Sequence, residues 1–202
     1  MKRIGNIYSK ITDKNNIRKA ILNAAKRKRN RKNVRYILKN IVNITDEIYE
    51  LLKNETFEPS PYEKVKIMDG VRKKERIIYK PAFYPDQIVH WALMLQLEDV
   101  LMKGMYYYNC ASIKGRGLIH ASKYIQKILV RDRKNTKYCL KLDIKKFYPS
   151  IDKEILKRKF RRKIKERETL TLIDKIIDSS EEGLPIRKFY FTMVCKFLFR
   201  RF

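Results

Sequence analysis

Carboxylates are scarce in this chain: 22 Asp and Glu stand against 49 Lys and Arg, and the formal charge of the 202 residues is +27. A field of that size repels itself, so a polyanionic partner is expected, and nucleic acid is the simplest one. Cysteine is nearly as sparse. Cys110, Cys139 and Cys195 form no pair with metal-ligand spacing, which excludes a cysteine-built metal centre and reads as reduced thiols of a cytoplasmic protein. No apolar run is long enough to span a bilayer and no secretory signal is present, so no membrane association is expected. Internal repeats are also missing. What remains is 44% hydrophobic, enough for one sizeable domain or two small ones. Aromatics make up 11%, and the 13 Tyr either stack on bases or serve as ordinary core and surface residues.

Along the chain, "DKNNIRKAILNAAKRKRNRKNVRYILKNI" mixes apolar residues at helical spacing with a dense basic run: Lys26, Arg27, Lys28, Arg29, Arg31 and Lys32. Such a run is either a phosphate-tracking helix or arm, or a solvated basic face; the overall charge favours phosphate contact without sequence readout. "TDEIYELLKNETF" predicts a short amphipathic helix capped by Thr45, with Ile48, Leu51 and Leu52 inward. Residues 62–80 alternate around Val65 and Ile67, turn at Asp69-Gly70 and resume in "RIIYK", which predicts a β-hairpin. Its tip carries Arg72, Lys73, Lys74 and Arg76, either an anion grip or a charged edge that discourages aggregation.

A long buried helix is expected from Pro85 to Gly104, with His90 as a packing residue. A Gly-rich basic turn follows (Lys114, Gly115, Arg116, Gly117) and opens another helix; it is an ordinary loop or a phosphate cradle. Tyr138–Ile144 reads as a short strand, and helices are expected from Asp152 and over "ETLTLIDKIIDSS". This element order predicts an α+β fold, rich in helix. Asp143 closes the strand-like run before Phe147-Tyr148-Pro149. By chemistry alone it is a ligand for Mg²⁺, which takes one or two carboxylates plus substrate phosphates, or a strand-end cap.

"KLDIKKFYPSID" closely resembles the first palm motif of bacterial reverse transcriptases, the RNA-directed DNA polymerases of group II introns, retrons and diversity-generating retroelements. "KKERIIYKPAFYPDQIVHWAL" resembles their fingers block and "NCASIKGRGLIHA" the next fingers segment, so the likeness covers roughly residues 60–186 in family order. It implies right-hand polymerase fingers, an incomplete palm and two-metal nucleotidyl transfer with Mg²⁺. In that likeness Asp143 binds metal, the Ile144 carbonyl assists, and Tyr148 packs under the sugar. Lys74 and Arg76 grip the incoming triphosphate, while Lys114 and Arg116 lie where template and nucleotide are touched. The expected partners are an RNA template, RNA–DNA duplex and deoxynucleoside triphosphate, with an accessory protein or a complementing palm polypeptide. The likeness divides the chain into a basic helical extension (1–58), fingers (59–136), a partial palm (137–186) and a tail (187–202).

The tail departs from the family. "GLPI" should continue with Gly-Asn, two variable residues and Ser-Gln, but Arg187 stands in place of the glycine. A one-base shift near codon 187, with permitted codons, yields Gly-Asn-Phe-Thr-Ser-Gln-Trp-Phe-Ala-Asn-Phe-Tyr, so an out-of-frame tail is expected; a genuine divergent C-terminus is the alternative. No Asp-Asp pair occurs among these residues, and Asp152, Asp174 and Asp178 are expected on solvated helix faces. The expectation is therefore a polymerase fragment without activity on its own, with exposed apolar surface; the alternative is a non-catalytic RNA- or DNA-binding module.

Overall fold

The computed structural model describes residues 3–69, 74–103, 105–110, 113, 115–181 and 183–184. Its elements run α1 (Tyr8–Ile11), α2 (Lys14–Ala25), α3 (Lys32–Lys39), α4 (Ile41–Lys53), β1 (Glu63–Asp69), β2 (Lys74–Lys80), α5 (Ile88–Met102), α6 (Leu118–Arg131), α7 (Lys153–Arg161) and α8 (Arg167–Asp178). Among the described residues the fold is thus helix-rich with one small antiparallel sheet, as the α+β expectation has it.

Helix α2 starts where Asp13 accepts a hydrogen bond from the Asn16 amide at 3.0 Å. Its buried residues Ile17, Ala20, Ile21 and Ala24 recur at helical spacing and face α5, and the alanines let the two backbones approach. Helix α5 carries Ile88, Val89, Ala92, Leu93, Leu97 and Leu101 into the core and buries His90 among them. An apolar surface on nearly every side suits a central helix. Asn16 is the polar exception between α2 and α5. Its amide donates to the carbonyls of Ile11 and Ala92, both at 3.0 Å, and its oxygen accepts from Gln96 at 2.7 Å. A buried amide with these bonds made does not carry the penalty of an unpaired one.

The start of the described chain is stitched to the segment between α7 and α8. Ile4 bridges residues 163–165 in parallel, its N–H donating to the Lys163 carbonyl at 2.7 Å and its carbonyl accepting from Lys165 at 2.9 Å. The Glu166 carboxylate accepts from the amides of Ile7 (3.0 Å) and Tyr8 (2.7 Å), so it satisfies the first donors of α1. One hydrophobic core accordingly draws on α1, α2, α3, α4, α5, α7 and α8. On α7 and α8 the apolar contact of Leu156 and Phe160 with Leu172, Ile173 and Ile176 is flanked by ion pairs. Lys157 meets Glu154 (2.8 Å) and Asp178 (2.7 Å), and Arg161 meets Asp174 at 2.5 Å.

The two strands of the hairpin pair antiparallel as expected, with Val65 opposite Ile78, Ile67 opposite Arg76 and Asp69 opposite Lys74, while the expected turn at Gly70 lies outside the described residues. It is anchored at its base, where the Tyr62 and Ser179 hydroxyls lie 3.0 Å apart and Lys64 pairs with Glu181 at 3.0 Å.

Three expectations are corrected. Thr45 is no cap: α4 begins at Ile41, and the buried Thr45 hydroxyl donates back to the Ile41 carbonyl at 2.6 Å inside the helix. Asp174 is no solvated residue: its side chain is 23% exposed against Arg161, and its Oδ1 is buried. Burial pushes its carboxyl above the ordinary range, while Arg161 and Lys157 pull it back. The strand over Tyr138–Ile144 does not form. The alternation is there, but no described residue bonds to that backbone, and a strand requires a neighbour.

Candidate nucleic-acid interface

The basic run lies mostly in the turn between α2 and α3, with Lys32 opening α3. Lys26 ends α2, and Arg27 adopts a left-handed backbone conformation (φ 63°) that redirects the chain. Lys26, Arg27, Arg29, Arg31 and Lys32 are exposed. Lys28 is turned inward: its ammonium donates to the Gln87 side-chain oxygen at 2.5 Å and sits 5.5 Å from the Phe83 ring centre. Burial, with Arg31 adding repulsion, lowers its pKa from the usual lysine value. The run therefore presents five cations to solvent and uses the sixth to fix the turn against the residues leading into α5.

Lys74 and Arg76 occupy alternate positions at the start of β2. Their side chains, like Arg72, Lys73 and Lys114, lie outside the described residues. Arg116 is held in a defined position. Gly115, with φ 77°, makes the turn that no L side chain favours. The Arg116 guanidinium donates to the Tyr107 carbonyl at 3.0 Å and lies 4.9 Å from that residue's ring centre.

Asp143 and Ile144 are exposed on the extended stretch 137–144. Among the described residues no three His, Cys, Asp or Glu side chains cluster as a metal site would require, and Asp143 belongs to no such group. Tyr148 is half-buried and packs edge-on against Phe147, with ring centres 5.1 Å apart. Its carbonyl accepts from the Leu184 amide at 3.0 Å. Gly183 lies so close that a Cβ there would stand 2.2 Å from the Tyr148 oxygen. The Ser180 hydroxyl donates to the Gly183 carbonyl at 2.7 Å, and the Lys153 ammonium donates to the Ser180 carbonyl. "FYPSID" is thus pressed against Gly183 and Leu184. Arg187 and the tail to residue 202 lie outside the described residues.

A feature absent from the sequence reading lies beside the Arg116 turn. Helix α6 buries none of its residues. One side of it, with Lys123, Tyr124, Lys127 and Arg131, forms a groove of about 550 Å³ against Tyr107 and Tyr108. The Tyr108 and Tyr124 rings stack nearly parallel, 3.5 Å between centres and 22° between planes. Donating its proton to Tyr108 pushes the Tyr124 hydroxyl up to about 12. The spacing of Lys123, Lys127 and Arg131 over two helical turns was the available signal; the partner tyrosines come from a loop whose path no periodicity marks. Leu118, Ile119, Val130, Tyr138, Leu140 and Leu142 are exposed on α6 and the stretch after it, Tyr138 to 94%. Among the described residues no helix is long and apolar enough to cross a membrane.

Comparison with protein-family models and with curated proteins gives no match.

Proposed function

We propose that the chain is the nucleic-acid-gripping part of a reverse-transcriptase-like polymerase, binding RNA and RNA–DNA duplex through its basic surface. The observation that carries this reading is the contact of "FYPSID" with Gly183 and Leu184, the start of "GLPI"; the two segments resemble successive palm motifs. They are 30 residues apart in sequence and meet through the Leu184 N–H to Tyr148 carbonyl bond and the Gly183 approach. Five exposed cations on the α2–α3 turn supply sequence-independent phosphate attraction. In this reading Lys74 and Arg76 neutralise a nucleoside triphosphate, Tyr148 lies under its sugar, and Asp143 with the Ile144 carbonyl contributes part of a Mg²⁺ site completed by carboxylates of a complementing polypeptide.

The test is duplex binding and primer extension on an RNA template, with Mg²⁺ and deoxynucleotides. Each is run with and without a reverse-transcriptase palm polypeptide bearing Tyr-x-Asp-Asp. The expected result is salt-dependent duplex binding that Asp143→Ala leaves intact, no extension by the chain alone, and extension with the partner that Asp143→Ala abolishes. Binding without any extension in the mixture would reduce the protein to a non-catalytic module. Binding indifferent to salt would remove the nucleic-acid reading altogether.

A further inference from the structure

We propose that the groove between Tyr107–Tyr108 and α6 is a stacking site for single-stranded nucleic acid. The inference rests on the reading that the chain binds nucleic acid and names a second place, apart from the α2–α3 turn, where it does so. Four observations converge there. First, Tyr108 and Tyr124 stack nearly face to face, whereas Tyr107 meets Tyr108 edge-on at 85°. A parallel aromatic pair is a platform that a base extends, since every base has a π-face and stacking needs no particular sequence. Second, Lys123, Lys127 and Arg131 stand on the same side of α6 as Tyr124 and line the same groove. Positions four apart in a helix advance about 6 Å, so the three cations form a rail along which successive phosphates lie. Third, Nε2 of His120, at the groove wall, is buried and has no partner among the described residues, and the ring is edge-on to Tyr107 at 5.7 Å. A buried imidazole nitrogen is a hydrogen-bonding group that a ligand edge would satisfy. Fourth, the three cations outnumber the one acid that lines the groove, Asp132, whose carboxylate accepts from the Asn135 amide and side chain, both at 3.1 Å.

These features select the ligand class. An acidic peptide would use the rail and leave the stacked rings idle. A duplex keeps its bases inside and would use the rail alone. A single strand uses both.

The experiment is fluorescence anisotropy of a short labelled oligouridine and of a blunt RNA duplex with the full chain. The variants are Tyr108→Ala, Tyr124→Ala, Tyr124→Phe and the pair Lys123→Gln with Lys127→Gln. Each alanine variant is expected to weaken single-strand binding by about five- to a hundredfold, with the salt slope unchanged. Tyr124→Phe, which keeps the ring and the packing, retains binding close to wild type, and the lysine pair flattens the salt slope by about 1.4. Duplex affinity is unmoved by the tyrosine changes. The proposal is overturned if both alanine variants bind oligouridine like wild type, if Tyr124→Phe loses as much as Tyr124→Ala, or if the losses are equal on the duplex. Displacement by polyglutamate as readily as by unlabelled oligouridine would also overturn it, because charge alone would then be the ligand. Wild-type protein that binds no RNA sinks the proposed function with it; RNA binding that depends on the α2–α3 turn alone sinks only the groove.

Discussion

Neutralising Arg27, Arg29 and Arg31 together to glutamine should change how RNA binding responds to salt more than it changes the fold. All three are exposed on the α2–α3 turn, and no hydrophobic contact of the core depends on them. Each cation that neutralises a phosphate of a single strand contributes about −0.7 to the slope of log K against log salt. The five exposed cations of this turn would therefore account for about −3.5, roughly a hundredfold loss between 50 and 200 mM salt. Removing three of the five should flatten the slope by about 2, so the wild-type affinity falls about twentyfold further than the variant's over the same interval. Lys28→Gln is the internal control. Its ammonium is spent on Gln87 and Phe83, so this change should lower stability and leave the slope alone. Anisotropy titrations at four salt concentrations measure both slopes. A triple variant whose slope lies within about 0.5 of wild type would refute the assignment of this turn to phosphates.

Three further outcomes concern the scaffold. Asn16→Ala removes three hydrogen bonds between α1, α2 and α5 and should cost about 2–4 kcal/mol, read as a fall in the urea midpoint with an unchanged m value; a midpoint equal to wild type would show that those bonds carry nothing. Gly183→Ala puts a methyl group against the Tyr148 carbonyl at a φ of 46°, and should cost at least about 2 kcal/mol, with altered near-ultraviolet dichroism as the packing at Phe147 and Tyr148 loosens. Wild-type melting and dichroism in that variant would contradict the close approach. Burial and the carboxylates of Glu55, Glu168 and Glu166 push the Tyr8 hydroxyl up to about 12, against about 10 in an unfolded chain. Above pH 10 the unfolded state releases its proton first, so stability falls as pH rises from about 10 to about 12. Tyr8→Phe should flatten part of that decline, since Tyr84, raised to about 12 by burial and Glu47, and Tyr124, raised to about 12 by Tyr108, contribute to the remainder; the same decline in both proteins would exclude Tyr8 as a source.

Much of the scaffold could be read from local pattern, because the relevant energies are local. The β1–β2 alternation, the apolar length of α5 and the Asp152 cap, which accepts from the Ile155 amide at 2.9 Å, are written within a few residues. Thr45 misled because a threonine ahead of acidic residues looks like a cap, while a threonine bonding back within a helix has the same local sequence. The strand at Tyr138–Ile144 misled for a different reason: alternation describes one side of a ladder, and pairing depends on a partner elsewhere. The inward turn of Lys28 was illegible because its acceptor lies 59 residues away. The candidate site divides in the same manner. Exposed cations follow from composition, whereas the Tyr108–Tyr124 stack depends on a loop path that only tertiary structure supplies.

The clasp between Ile7, Tyr8 and Glu166 has a consequence for the order of synthesis. Its partners are separated by 159 and 158 residues, so the first helix leaves the ribosome long before its N-terminal donors can be satisfied. At about 5–20 residues per second the wait is roughly 8–30 s. Through that interval Ile11, Ile17 and Ile21 have emerged while Leu172 and Ile176 of the same core have not. A nascent chain of this charge and apolar content is therefore at its most vulnerable before residue 166 appears, and α7 and α8 act as the closing step that protects the first helices.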